Sequence, residues 1–152
     1  MRVVPFHFNR VQRHFDANRT GKDVICKARK FGVSTYLQGL KFHRNVSETS
    51  AAVTIADIGL NTDKLRSIYQ RFYDLWSGSE PRPYRKRDSA LLVTYPQLDS
   101  EAASFTAGSE TGGRTGTHSF LHVSEFAFWS NAAIVFPSLS AAMTPDAEQY
   151  IE

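Results

Sequence analysis

The sequence is poor in cysteine and in long apolar runs, and each absence removes a class of protein. A single cysteine, Cys26, excludes an internal disulfide and suits a reducing compartment. No apolar run approaches the roughly 20 residues that a membrane-spanning helix needs, so we expect no membrane partner. Internal repeats and low-complexity stretches are also missing.

The residues that are present fit one globular domain. A chain of 152 residues can bury one core and is too short for two ordinary domains. Hydrophobic residues make up 41% and charged residues 22%, the usual balance of a globular protein. The net charge of +3 is only a weak indication of an anionic partner, because many enzymes of phosphorylated metabolites are equally basic.

Short apolar runs alternate with helical patterns along the chain. The runs predict strands at 23–27, 51–56, 90–95, 102–107, 120–123 and 149–151. Helical spacing predicts the first turns of a helix over 34–41, and further helices from a cap at Asn61 or Thr62 to Gly78 and over 132–143. This alternation predicts an α/β fold with a mainly parallel central sheet. The chain stops inside the last predicted strand without a turn signal, so we expect it to be truncated.

The segment K-A-R-K-F-G-V-S-T, from Lys27 to Thr35, is similar to a phosphate-binding loop. The usual loop, G-x-x-x-x-G-K-[ST], cradles phosphates with backbone N–H groups, while its lysine reaches the β/γ oxygens and its hydroxyl holds Mg²⁺. Gly32 matches the second glycine and Ser34 the hydroxyl, but Val33 stands where the lysine belongs. Lys27, at the loop's start, can swing across it to the same phosphate oxygens. A basic turn before an amphipathic helix explains this segment equally well.

The segment from Phe120 to Glu125 is similar to a Walker B element. In that element a buried strand ends in a carboxylate that orients the attacking water beside Mg²⁺. The usual acidic pair is reduced here to Ser124-Glu125. Taken alone the pattern is weak, because many apolar strands end in glutamate.

Together the two segments resemble the terminase large subunits of tailed phages, which package viral DNA. The displaced lysine of 27–35 and the Ser-Glu form of H-V-S-E-F-A-F-W at 122–129 both recur in that family. Residues 8–12 lie where the family places its adenine-reading Q motif, and G-G-R-T-G-T at 112–117 resembles the segment that supplies an arginine to a neighbouring subunit's ATP. The resemblance covers nearly the whole chain. It implies a P-loop fold of the ASCE type, a three-layer sandwich, for residues 1–152, without the family's C-terminal nuclease domain.

The resemblance also implies roles for individual residues. Lys27 binds the β/γ phosphates, Arg29 supports the γ-phosphate, Glu125 activates water and Arg114 acts on a neighbour's ATP. The implied nucleotide-binding residues are Gln12, as the adenine contact, and the loop residues Lys27, Ala28, Arg29, Lys30, Phe31, Gly32, Val33, Ser34 and Thr35. The implied Mg²⁺ site consists of Ser34, Ser124 and Glu125. Because Ser124 replaces the family's usual aspartate, metal binding is expected to be weaker or water-mediated.

The implied partners are those of a packaging motor in the cytoplasm of a bacterial host. They are ATP, Mg²⁺, double-stranded DNA, the portal protein, the small terminase subunit and further copies of the chain in a ring, a pentamer on the capsid. The fragment alone is expected to be monomeric. Two alternatives stay open. One is another P-loop ATPase such as a helicase, although helicases usually carry an Asp-Glu pair at the position of Ser124-Glu125. The other is a truncated prophage remnant that keeps the fold without turnover.

Three further features complete the expectations. In this class of ATPase the strand after Walker B, here 149–152, lies between the phosphate-loop strand and the Walker B strand. The family's Ser/Thr-rich coupling motif begins just after Glu152.

His118 and His122 have no cysteine or carboxylate at ligand spacing, so we expect no zinc site and interpret His122 as a packed strand residue. The basic run Arg82, Arg85, Lys86 and Arg87 is either a solvated loop or a contact for DNA phosphates.

Overall fold

The computed structural model describes residues 6–76, 81–108 and 116–152. Its elements are, in chain order, α1 (Arg10–Asn18), β1 (Lys22–Val24), α2 (Val33–Ser47), β2 (Ala51–Ala56), α3 (Gly59–Asp74), β3 (Arg87–Asp88), β4 (Leu92–Tyr95), β5 (Ser100–Thr106), β6 (His118–Val123), α4 (Ala132–Ala141) and β7 (Met143–Ile151). Single turns of 3-10 helix follow β4 at Pro96–Leu98 and β6 at Phe126–Phe128. Within these ranges no helix is both long and apolar enough to cross a membrane.

The strands form one seven-stranded sheet in the order β1–β7–β6–β2–β5–β4–β3. Every pairing from β1 to β5 is parallel, whereas β4 and β3 are added antiparallel at one edge. The prediction of an α/β fold with a mainly parallel sheet is therefore confirmed. Tyr150 of β7 pairs with Asp23 of β1 on one side and with His122 of β6 on the other. The last strand thus lies where it was expected, although it begins at Met143 rather than Gln149.

Both faces of the sheet are covered by helices. Val53 and Leu121 pack against Leu139 of α4 in one apolar cluster. Ala52 and Phe120 immediately precede Val53 and Leu121 on the same two strands. They belong to a second apolar cluster, with side chains of α2. Because successive side chains of a strand point to opposite faces, the two clusters lie on opposite sides of the sheet. This arrangement is compatible with a three-layer α/β fold.

Helix α3 begins earlier than its capping pattern predicts. It starts at Gly59, after extended Ile58, and no side chain caps it. Asn61 lies inside the helix, where its Nδ2 donates to Asp57 Oδ1 at 2.8 Å. The prediction of a cap at Asn61 or Thr62 is wrong, because β2 passes into the helix through a turn at Asp57 that is shorter than the polar residues suggest. Gly78, the predicted end, lies outside the described residues.

A lysine is buried between α2 and the sheet. Lys41 is 1% exposed, and its Nζ donates to Thr54 Oγ1 at 3.0 Å and to the Ala103 carbonyl oxygen at 2.6 Å. It also lies 5.3 Å from the centre of the Tyr69 ring. Burial disfavours the charged form and lowers the pKa of Lys41 from 10.5 to about 7.

We expect this lysine to make stability depend on pH above neutrality. Between pH 7 and 10.5 the unfolded chain binds a proton at Lys41 that the folded chain has lost, so the free energy of unfolding rises with pH by up to about 1.4 kcal/mol per unit. Urea denaturation at a series of pH values should show this slope in the wild type. The slope should be absent from Lys41→Met, which cannot titrate. Parallel pH profiles for the two proteins would contradict the shifted pKa.

Candidate functional site

The carboxyl ends of four parallel strands meet at one edge of the sheet. The loop 25–32 follows β1, Asp57 follows β2, Ser124-Glu125 follows β6 and Glu152 follows β7. In open α/β sheets this is the edge at which ligands bind. An open cleft of about 700 Å³ lies here, lined by Lys27, Arg29, Lys30, Gly32, Ser34, Thr35, Asp57, Asn61, Lys64, Ile68, Glu125 and Phe128.

The electrostatics of the cleft suit an anionic ligand. Four of its lining side chains are cationic and two are carboxylates. The first turn of α2 also opens into this region, and no side chain caps its backbone N–H groups. The N-terminus of a helix attracts anions through these unpaired groups and through the helix dipole. The cleft therefore combines cationic side chains with backbone donors held in place by a helix.

Hydrogen bonds from the N-terminal segment hold the loop before α2 in place. Gln12 Nε2 donates to the Gly32 carbonyl oxygen at 2.7 Å, and Asn9 Nδ2 donates to the Phe31 carbonyl oxygen at 3.1 Å. Asn9 and Gln12 also form a reciprocal capping box at the start of α1. The amide of Gln12 is therefore engaged in fixing the loop, and its side chain is buried beneath it.

Gly32 is required by both its conformation and its surroundings. Its φ is +77°, and a Cβ at this position would lie 2.8 Å from Gln12 Nε2 and 3.1 Å from Asn9 Nδ2. We expect Gly32→Ala to lower the free energy of unfolding by about 2 kcal/mol or more, since the left-handed region alone costs 1–2 kcal/mol for a residue with a Cβ. Gly59→Ala is the matched control, because nothing lies within 4 Å of its added Cβ. Equal denaturant midpoints for the two variants would contradict this account.

A buried carboxylate joins three of the segments at the cleft. Glu152 Oε1 accepts hydrogen bonds from Ser34 Oγ at 2.7 Å and Ser124 Oγ at 3.1 Å, and it contacts His122 Nε2 at 3.0 Å. Its other oxygen, Oε2, lies 3.5 Å from Lys27 Nζ. The Glu152 side chain is 1% exposed, so these contacts are shielded from water. The loop, β6 and the end of β7 are thereby tied to one anionic group.

The protonation of this cluster follows from its contacts. Burial by itself raises the pKa of Glu152, but the hydrogen bonds from His122 and Ser34, together with the charge of Lys27, outweigh it and lower the pKa below its usual value. Gln38 Nε2 lies 2.8 Å from His122 Nδ1, and an amide nitrogen can only donate. With the amide in this orientation, His122 accepts at Nδ1 and donates from Nε2 to Glu152. Glu152 is therefore ionised at neutral pH.

Two residues of the cleft have backbone conformations that are uncommon for side chains with a Cβ. Glu125 has φ +56° and Lys30 has φ +68°. The turn at Glu125 is held on both sides, since Trp129 Nε1 donates to the Ser124 carbonyl oxygen at 3.1 Å and Phe126 N donates to the Glu152 carbonyl oxygen at 3.0 Å. Conformations of this kind persist where the surroundings impose them and concentrate at functional sites.

The structure brings most of the predicted site residues together. Those that line the cleft are Lys27, Arg29, Lys30, Gly32, Ser34, Thr35 and Glu125. Ser124 is buried beside it, hydrogen-bonded to Glu152. Ala28 and Phe31 are exposed on the loop, whereas the Val33 side chain packs into the core. Gln12 is not among the lining residues, and Arg114 lies outside the described residues.

Sequence reasoning missed several residues of the site. The cleft is also lined by Asp57, Asn61, Lys64 and Phe128. Glu152 accepts the hydrogen bonds of Ser34 and Ser124 beside it. A usable signal existed for Asp57 and Glu152, because each directly follows a predicted strand of the parallel sheet. His122, interpreted as a packed residue, is indeed 0% exposed, but it also contacts the site through Glu152.

One member of the basic run has a structural role. The Arg85 guanidinium lies 3.3 Å from the centre of the Tyr73 ring and donates to Gln70 Oε1 at 2.6 Å and to Asp88 Oδ2 at 3.0 Å. Arg85 therefore packs onto α3 and is neither a freely solvated side chain nor one that is available to a ligand. Arg82, Lys86 and Arg87 are exposed, although the Arg82 guanidinium also lies 4.8 Å from the centre of the Tyr73 ring.

Fold and site define an α/β protein with an anion-compatible cleft at the carboxyl edge of a mainly parallel sheet. No protein-family model matches the chain, and no curated protein is significantly similar to it in sequence. Within 6–76, 81–108 and 116–152, no group of three or more His, Cys, Asp or Glu side chains is placed to hold a metal ion. The cleft is therefore the basis of the function that we propose.

Proposed function

We propose that this chain binds and hydrolyses ATP in the cleft, as the N-terminal motor domain of a phage terminase large subunit that drives DNA into the capsid. The observation that carries the proposal is the convergence of Lys27 and Ser34 on one carboxylate. Lys27 Nζ lies 3.5 Å from Glu152 Oε2, and Ser34 Oγ lies 2.7 Å from Glu152 Oε1. A lysine displaced to the loop's entry must reach the neighbourhood of the hydroxyl, and this one does.

The residues of the loop have complementary tasks on the triphosphate. Lys27 and Arg29 neutralise the β- and γ-phosphates, and the uncapped N–H groups at the start of α2 donate to their oxygens. Ser34 fits a Mg²⁺ site, because its hydroxyl already contacts a buried carboxylate and Mg²⁺ prefers oxygen ligands. With Ser34, the resemblance implies Ser124 and Glu125 at this site. Mg²⁺, when bound, neutralises charge that develops on the β and γ oxygens.

Glu125 is the proposed general base. It lines the cleft, and its turn is fixed by the neighbouring hydrogen bonds to Ser124 and Glu152. In the reaction the oxygen of a water molecule bonds to the γ-phosphorus while the bond to the β–γ bridging oxygen breaks. Glu125 accepts the proton of the water, and ADP and inorganic phosphate leave.

The order of the strands supports the P-loop interpretation. In ATPases of the ASCE type an extra strand separates the phosphate-loop strand from the Walker B strand. Here β7 lies between β1 and β6, with Asp23, Tyr150 and His122 in register across the three strands. The loop and the segment Ser124-Glu125 therefore approach the ligand from strands that are not direct neighbours.

The remaining parts of the proposal concern partners and follow from the resemblance. They are double-stranded DNA, the portal protein, the small terminase subunit and a ring of identical subunits in the bacterial cytoplasm. Arg114 is the proposed arginine that acts on a neighbour's ATP. For DNA phosphates, the exposed Arg82, Lys86 and Arg87 are the remaining candidates of the basic run.

Separate measurements of nucleotide binding and turnover test the proposal. We expect a fluorescent ATP analogue to bind and ATP to be hydrolysed in the presence of Mg²⁺, with double-stranded DNA stimulating turnover. Binding without any turnover would favour the prophage remnant. Strand separation coupled to hydrolysis would favour the helicase. Absence of nucleotide binding, with and without Mg²⁺, would reject the proposal.

A further inference from the structure

Glu152 has the properties of an incomplete ligand site. Three groups, on Ser34, Ser124 and His122, contact its Oε1 within 3.1 Å. Its Oε2 is also buried, yet within the described part of the chain it accepts no hydrogen bond and has only Lys27 Nζ, at 3.5 Å, as a close cation. A buried carboxylate oxygen without a hydrogen-bond partner is unusual, because nearly all buried polar atoms are paired.

We infer that Glu152 is the carboxylate of the divalent-cation site and binds Mg²⁺ together with the Ser34 hydroxyl, while Ser124 and His122 orient this carboxylate. The inference rests on the proposed function, because the cation would arrive with the nucleotide. It differs from the site implied by the resemblance, in which Ser124 and Glu125 are the partners of Ser34. It also leaves Glu125 free to act as the base.

The register of the sheet makes this assignment possible. His122 pairs with Tyr150 and Val123 with Ile151, so Ser124 and Glu152 occupy equivalent positions at the ends of adjacent parallel strands. A serine hydroxyl cannot supply the negative charge that a hard cation prefers. Glu152, one strand away, supplies that charge within hydrogen-bonding distance of both Ser34 and Ser124.

The charge balance of the cleft favours the same assignment. In the absence of nucleotide, the ammonium of Lys27 is the nearest counter-charge of Glu152. When the ammonium moves to the phosphates, the buried carboxylate keeps its hydrogen bonds but loses its counter-charge, which is unfavourable. A divalent cation bound at Oε2 restores the balance. His122 remains as an orienting donor, held by Gln38 at 2.8 Å, in the manner of outer-shell groups around metal sites.

The decisive measurement is Mn²⁺ binding followed by electron paramagnetic resonance, with a non-hydrolysable ATP analogue present. We expect Glu152→Gln, which keeps the shape and removes the charge, to weaken Mn²⁺ binding by at least about tenfold. Its affinity for the analogue in EDTA should be unchanged or higher, because Lys27 is released from its ion pair. Glu101→Gln is the control, because Glu101 lies at the start of β5, at the opposite end of the parallel strands from the cleft. This variant should leave Mn²⁺ affinity unchanged.

A second variant separates a metal ligand from a structural carboxylate. In Ser124→Asp/Glu152→Gln the charge moves to the adjacent strand, and Mn²⁺ affinity should recover by several-fold. Unaltered Mn²⁺ affinity in Glu152→Gln, or a loss that the double variant does not recover, would overturn the inference. A wild type that binds the analogue neither in EDTA nor with Mn²⁺ would instead overturn the proposed function.

Discussion

Replacing Lys27 with alanine is expected to weaken ATP binding by about 100-fold or more, whereas Lys30→Ala should retain most of it. The two lysines line the same cleft, so the variants remove equal charge from it. The side chains of the two lysines differ in what they contact. Lys27 Nζ reaches the buried carboxylate that Ser34 also contacts, while Lys30 is exposed on the loop with φ +68°. Of these two lysines, Lys27 is the one placed to reach phosphates held beside Ser34.

Calorimetric titration with ATP and Mg²⁺ is the direct measurement, and thermal melting is its necessary companion. Lys27→Ala also removes the counter-charge of Glu152, so a melting curve is needed to show that binding is lost from a folded protein. Equal losses from the two variants would indicate a diffuse cationic surface. No loss from either would remove the displaced lysine from the mechanism.

Glu125→Gln is expected to reduce hydrolysis by about 10²–10⁴-fold while ATP still binds. Glutamine keeps the size of the side chain but cannot accept the proton of the attacking water. Glutamate and glutamine have the same backbone and Cβ, so the substitution adds no strain at φ +56°. The turn that presents the side chain should therefore persist. Phosphate release and analogue binding, measured on the same preparation, test the two halves of this expectation.

Asp57→Asn is the matched control, because Asp57 is the other carboxylate that lines the cleft. Its Oδ1 already accepts a hydrogen bond from Asn61 at 2.8 Å, an arrangement that suits a structural role at the start of α3. We expect a smaller effect on turnover from this variant. If Asp57→Asn abolished hydrolysis and Glu125→Gln did not, the assignment of the base would be wrong.

Local patterns predicted the elements best where the cause of the structure is local. Strand β2 has the predicted bounds, Ala51–Ala56, because a short apolar run between turn residues has few alternatives. Residues 34–41 were predicted only as the first turns of a helix, and α2 continues to Ser47, where Phe42 and Val46 meet the aromatic side chains of α3. Its length depends on a partner that periodicity alone does not reveal.

The sequence by itself determined the α/β class and the residues of the loop, because strand-helix alternation and a contiguous nine-residue motif are properties of neighbouring residues. Only the tertiary structure decided which distant groups complete the site. Glu152 contacts Ser34 across 118 residues, through a register in which β7 is inserted between β1 and β6. β7 pairs with β1, a strand far away in the chain, and local sequence does not reveal this neighbour. The sequence could place Glu152 at the carboxyl end of a strand, but it carries no local signal for the hydroxyls of Ser34 and Ser124 that Glu152 meets there.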